Sequence, residues 1–190
     1  MNIDKYRMQE IPFRGDPWEF ICSLVFLKYN KKINIVEFGE GNYSLVYGIC
    51  TELEHKIKKI FSIDDKNKFD KGETDFYNKK RIYMTLDNRG YEYVEHIQCS
   101  CNDEIVSKLI KKLFLDDAID LLIIEYMKND EYMDEIFNLL NIYLKEDVDI
   151  YVHNIYKSKD SYNYFINFFK DKKHVTLNNG YGTCIIKKDK

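Results

Sequence analysis

Proline is almost missing from this chain, with two among 190 residues, at positions 12 and 17. That excludes a proline-rich linker or recognition segment and leaves the remaining stretch without its strongest helix breaker. No apolar run approaches the roughly 20 residues that a membrane-spanning helix needs. Neither charge sign dominates: 29 basic residues face 32 acidic ones, a net charge of -3, with the signs interspersed. A nucleic-acid binder driven by bulk positive charge is therefore not expected. The five cysteines form no ladder of spacings. Cys99 and Cys101 are the one close pair, and without a second pair a zinc site is not expected. Charged residues from Asp4 to Glu19 fill the start of the sequence, so no secretory leader is expected there, and a cytoplasmic, reducing environment is the expectation.

Lysine, asparagine, isoleucine, aspartate and tyrosine are plentiful, a bias that suggests an AT-rich viral or microbial genome. At this length one domain suffices, able to remove roughly 70% of its unfolded surface from water. Asp16-Pro17-Trp18-Glu19 reads as a helix start, followed by Phe20, Ile21, Leu24 and Val25 at helical spacing. Ile33 to Phe38 is a β-branched run ended by Gly39, and it reads as a buried strand. Asn42 to His55 reads as a helix, and Ile57 to Ile63 as a second strand ending at Asp64-Asp65. Strand, glycine loop, helix and strand make a βαβ unit.

The alternation continues through a strand at Tyr93 to Cys99, a helix with Ile105, Val106, Leu109 and Leu113 on one face, and the apolar strand within "AIDLLIIEYM". A helix over Asp130 to Leu144, a strand over Val148 to Val152 and a helix over Ser161 to Lys170 follow. "HVTLNNGYGTCIIKK" is two β runs around Asn178 to Gly182, a hairpin signal whose last strand should run antiparallel to the rest. Strands alternating with helices imply a parallel sheet covered on both faces.

In this order the pieces resemble a class I S-adenosylmethionine-dependent methyltransferase, from Ile33 to Lys188. "VEFGEG" is similar to the family's first motif, an acidic residue followed by G-x-G after the first strand. "IDLLIIEYMKNDEYM" resembles the fourth strand and the acidic, tyrosine-containing segment after it, and "GYGTCIIKK" resembles the antiparallel close of the sheet. The resemblance implies an α/β, Rossmann-like three-layer sandwich with a mostly parallel seven-stranded sheet and an antiparallel C-terminal strand. It also implies one methyltransferase-like domain over residues 1–190, with an N-terminal helical segment at 1–32 and the Rossmann-like core at 33–190.

The resemblance carries site residues with it. Gly39 and Gly41 let the backbone pass close to a cofactor, Glu37 and Glu40 flank them, and Ser44 opens the following helix with its free N–H groups. Asp64 and Asp65 stand where an ionised carboxylate would accept hydrogen bonds from ribose hydroxyls, and Cys99 and Ser100 where the family contacts adenine. Tyr43 and Tyr126 would wall the pocket. Glu125, His153 and Asn154 fall at the ends of the fourth and fifth strands, where reacting groups would meet the methyl donor. His153 is a candidate general base and Glu125 its companion carboxylate. Related metal-dependent enzymes hold a divalent cation with an acid where this chain has His153. Imidazole suits magnesium poorly, so Mn²⁺ or no metal is expected ahead of Mg²⁺, and no metal ligand is assigned.

The expected function is methyl transfer from S-adenosyl-L-methionine to a small-molecule acceptor, with no strong nucleic-acid or membrane signal. A second expectation is a methyltransferase-like binding protein without activity, because the histidine of an acid-x-x-His-x-Tyr pattern is Lys128 or Asn129 here. A third is a nicotinamide-dependent enzyme, disfavoured because G-E-G-N-Y-S lacks the third glycine of G-x-G-x-x-G.

Overall fold

A computed structural model describes residues 10–11, 17–38, 49, 52–64, 94–98, 108, 111, 118–125, 134, 138, 141–153, 155–156, 158–169, 172–177 and 182–187. Within them lie β1 (Glu10–Ile11), α1 (Pro17–Lys28), β2 (Ile33–Phe38), β3 (Ile57–Asp64), β4 (Val94–Gln98) and β5 (Ile119–Glu125), then β6 (Leu144–His153), α2 (Lys159–Phe169), β7 (His174–Leu177) and β8 (Thr183–Lys187). The eight strands form one sheet in the order β1-β7-β8-β6-β5-β2-β3-β4. Every pairing is parallel except those of β8, which runs antiparallel to both β6 and β7. The seven strands and the antiparallel close implied by the resemblance are all present. The eighth, β1, adds two residues to the edge beyond β7, in the N-terminal segment ahead of α1, where no strand was expected.

Alternation along the strands divides the core between the two faces of the sheet. On one face Ile35, Ile60, Leu121, Ile123 and Tyr151 pack with Ile21, Cys22 and Val25 of α1 and with Ile49 and Leu53. On the other, Val36, Phe38, Phe61, Leu122, Ile124, Ile150 and Val152 pack with Tyr164 and Phe165 of α2. All six residues of β2 are buried, as a central parallel strand covered on both sides must be. Each such aliphatic side chain contributes about 1.5–3 kcal/mol by leaving water.

The helix ends follow local chemistry. Pro17 occupies the first helical position of α1, where its missing N–H costs nothing. At the start of α2, the backbone N–H of Ser158 donates to Ser161 Oγ at 2.9 Å, and that of Ser161 donates to Ser158 Oγ at 3.0 Å. This reciprocal pair satisfies N–H groups that the helix itself leaves open. Tyr164 Oη donates to Asp134 Oδ1 at 2.9 Å, tying α2 to the helical positions Asp134, Asn138 and Asn141. Leu144, expected to close that helix, instead opens β6 and pairs with Ile119. Its burial beside β5 outweighs the helical spacing it shares with Tyr143.

Candidate active site

The chain leaves β2 for β3 and β4 on one side of the sheet, then crosses to β5 and β6 on the other. Ligands in open α/β sheets bind at such a reversal, outside the carboxyl ends of the strands. Register aligns these ends in a row: Phe38 lies beside Ile63 and Ile124, Asp64 beside Gln98, and Glu125 beside His153.

Glu37 stands next to the end of β2, on the α1 face, with 2% of its surface exposed. Its register partner on β3 is Ser62, whose hydroxyl donates to Glu37 Oε2 at 2.6 Å. A carboxyl group taken from water needs such a partner. The cost of burying it is accepted at the point where the sheet reverses.

A second polar group closes the other half of the row. His153, last in β6, pairs with Thr183, first in β8. Its Nδ1 lies 3.1 Å from Thr183 Oγ1, and the Tyr151 hydroxyl reaches the same oxygen at 3.3 Å. The Tyr151 and His153 rings stack at 6.4 Å with 21° between their planes. Thr183 and Tyr151 are fully buried and His153 nearly so.

Gly182 precedes this threonine with φ +78, a left-handed conformation that glycine adopts without strain. A Cβ there would stand 2.1 Å from Cδ2 of Tyr156. The Gly182 carbonyl also accepts the Ile155 N–H at 3.3 Å. The turn that follows His153 is thus seated directly on the C-terminal hairpin.

No protein-family model matches the chain, and no curated sequence relative matches it either. Solved structures do. A proposed caffeoyl-CoA O-methyltransferase from Staphylococcus aureus is 17% identical, with 94% of this chain and 86% of that one covered at a TM-score of 0.66. A proposed methyltransferase from Streptococcus mutans in complex with SAH is 15% identical, covering 93% of this chain and 100% of its own, with a TM-score of 0.59. A precorrin-6y C5,15-methyltransferase from Geobacter metallireducens is 12% identical, with 100% and 96% covered and a TM-score of 0.59. The chain has the class I methyltransferase fold. At these identities the likeness establishes the architecture and leaves the chemistry to the residues.

Within the methyltransferase fold, the expected site residues divide by what is described. Glu37 and His153 are placed with their side chains, each buried at a strand end. Asp64 and Glu125 are placed as the backbone ends of β3 and β5, in register with Gln98 and His153. Gly39, Glu40, Gly41, Ser44, Asp65, Cys99, Ser100 and Asn154 lie outside the described residues, as do Tyr43 and Tyr126. Among the described residues no group of three or more His, Cys, Asp or Glu side chains could hold a metal ion. No described helix is long and apolar enough to cross a membrane.

Three residues of this site escaped the sequence reading. Ser62 had a signal, since it lies two places before Asp64 and so shares that strand position's face. Thr183 and Tyr151 had none, because their meeting requires β8 to lie against β6. Among the described residues, the thiols Cys22 and Cys184 are buried in the sheet's core. Burial pushes Cys184 up to about 12, against a lowering from Thr176. Cys22 is likewise raised to about 12, first by burial and then by Glu52 and Glu19.

Proposed function

We propose that the protein is an S-adenosylmethionine-dependent methyltransferase acting on a small-molecule acceptor. The observation that carries this reading is the buried Glu37 carboxylate at the reversal of the sheet, held by Ser62 directly before the Gly39–Gly41 loop. A buried anion beside a glycine loop fits a ligand with a cationic amino end, and its hydrogen bond to β3 fixes the strand from which the loop departs. Glu37, Gly39, Glu40, Gly41 and Ser44 would hold the amino-acid part of the cofactor, Asp64 and Asp65 its ribose, and Cys99 and Ser100 its adenine. When bound, S-adenosylmethionine supplies an electrophilic methyl group.

His153 and Glu125, neighbours in register, then face the acceptor. They orient its attacking atom and exclude water, and one of them takes its proton where it carries one. Holding the reactants in line supplies much of the rate, by replacing a bimolecular encounter with an oriented one. The balanced charge supports a small acceptor over a nucleic acid. The two relatives named for caffeoyl-CoA and precorrin-6y chemistry also take small molecules by name. One domain over residues 1–190, with 33–190 as its core, and a reducing cytoplasm complete the proposal.

Calorimetry with S-adenosylmethionine, S-adenosylhomocysteine and NAD tests it. Both adenosyl compounds should bind, and Glu37→Gln should weaken them about 10- to 100-fold, the loss of one hydrogen bond to a charged group. Binding of NAD in their place overturns the proposal. Binding of none of the three favours a methyltransferase-like protein that works through a partner.

A further inference from the structure

We infer that the outer face of α1 is a contact between two copies of this chain, in which the helix packs antiparallel against the partner's α1 about a two-fold axis and each Leu27 sits over the partner's Ser23. The starting observation is a helix that is apolar on both sides. Ile21, Cys22 and Val25 bury its inner face in the sheet's core, yet on the outer face Phe26 is 61% and Leu27 82% exposed. A surface helix ordinarily turns polar residues outward, and one that is apolar all round is normally covered. Phe26 is met in part by its own chain, with Lys56 Nζ 5.6 Å from the ring centre. Leu27 is left as the most exposed of the large apolar side chains among the described residues.

The order of charge along this face says what covers it. Glu19 in the first turn, and Glu52, which stands near enough to Cys22 to act on its thiol, make one end acidic. The other end is basic. Lys31 and Lys32 follow the helix directly and are exposed, and Lys56 is fixed there by donating to the Tyr29 carbonyl at 2.6 Å; together they outnumber the exposed Glu54. A face that runs from acid through an apolar centre to base complements itself under a two-fold rotation, the isologous arrangement of a dimer. A partner of one charge sign would meet a like charge at one end.

The spacing fits the same rotation. Ser23 follows Glu19 by one helical turn and Leu27 precedes Lys31 by one, so a single antiparallel register sets Glu19 beside the partner's Lys31 and Ser23 beside the partner's Leu27, each pair occurring twice. Serine opposite leucine lets the two axes approach, with the larger side chain seated in the groove that the smaller one leaves. The helix dipoles then oppose each other, which is their favourable sense. A helix of 12 residues is about 18 Å long, and alone it covers less than the roughly 1,000 Å² of a stable interface. The dimer is therefore weak, with a dissociation constant of about 1–100 µM.

Sedimentation of the full chain from about 1 to 500 µM tests the inference, since that range brackets the expected constant. Wild type should pass from monomer to dimer. Leu27→Asp should stay monomeric with an unchanged circular dichroism spectrum, whereas Ile142→Asp, at a side chain 77% exposed outside α1, should dimerise as wild type does. Lys31→Glu should weaken the dimer about tenfold, and adding Glu19→Lys should return most of that loss. Mild oxidation of mixed Ser23→Cys and Leu27→Cys chains should give a covalent dimer above the background of wild type and of either variant alone. A chain that stays monomeric throughout, a dimer that Leu27→Asp leaves intact or that Ile142→Asp disrupts equally, or cross-linking no greater in the mixture, overturns the inference. None of these measurements involves S-adenosylmethionine, so the result is independent of the proposed activity.

Discussion

Replacing Ser62 with Ala removes the hydroxyl that donates to Glu37 Oε2 at 2.6 Å, from a carboxyl group that is 2% exposed. Alanine offers no donor in its place, so a buried polar group loses a partner. A hydrogen bond to a charged group contributes about 1.5–3 kcal/mol. Glu37 has further interactions, which places the expected loss near the lower end, about 1.5–2 kcal/mol. In urea unfolding followed by circular dichroism, with a slope near 2 kcal/mol per molar, the midpoint should fall by about 1 M at unchanged slope. Glu37→Gln removes the charge while leaving a side chain that still pairs with a hydroxyl. The double mutant should therefore be less destabilised than the sum of the two single changes, by about 0.5 kcal/mol or more. A Ser62→Ala midpoint within error of wild type, with additive effects in the cycle, would refute the view that this pair anchors the strand before the glycine loop.

Three further outcomes are expected. Gly182→Ala should destabilise by more than the roughly 1–2 kcal/mol of a left-handed non-glycine residue, because the new Cβ also meets the Tyr156 ring; adding Tyr156→Ala should return part of the loss, and a fully additive pair in thermal melts would contradict the contact. Ser158→Ala should cost about 1 kcal/mol of stability in the same assay, and Ser158→Asp should restore most of it by capping the same N–H. For Cys184 the sign follows from its raised pKa. Below the unfolded value of 9.0 both states hold the proton; between 9.0 and about 12 only the unfolded state ionises, so stability falls as pH rises through that window. Comparing Cys184→Ala with wild type across that window should show a shallower alkaline decline in the variant, and parallel curves would count against it.

The sequence displayed those parts of the fold whose signals are local. Ile33 to Phe38 announced β2 to the residue, because a β-branched run stopped by glycine has few other uses. Pro17 marked the start of α1, and the two runs around Asn178 to Gly182 marked the hairpin. What stayed hidden depended on partners far along the chain. Leu144 and the beginning of β6 were read as helix because their apolar spacing fits one, and only pairing with Ile119 decides for a strand. The two-residue β1 exists through Thr176 and Leu177 and has no pattern of its own. The same division holds at the site. Glu37 was legible from the residues after it, whereas Thr183 became a neighbour of His153 through a strand order that local periodicity does not contain.

The polar residues buried in this sheet sort by which end they occupy. At the amino ends of the strands, Asp120 accepts the Asn34 N–H at 3.0 Å and Lys145 Nζ at 2.5 Å, while its carbonyl accepts the Tyr29 hydroxyl at 2.8 Å. Lys56 Nζ in turn donates to the Tyr29 carbonyl at 2.6 Å. Each of these contacts joins two different elements, so together they set the register of β2, β5 and β6 and the seat of α1. Lys28, the last residue of α1 and the neighbour of Tyr29, is paired with Asp149 of β6 at 2.6 Å. At the carboxyl ends the buried polar groups include the Glu37 carboxyl, the His153 imidazole and the hydroxyls of Ser62, Tyr151 and Thr183, which meet one another across β2 and β3 and across β6 and β8. The Ser62 hydroxyl holds Glu37 in place through a donor that carries no charge of its own. The lysine contacts at the amino ends join elements to one another, whereas the hydroxyls of Ser62 and Thr183 orient Glu37 and His153 beside the strand ends, where open α/β sheets bind their ligands.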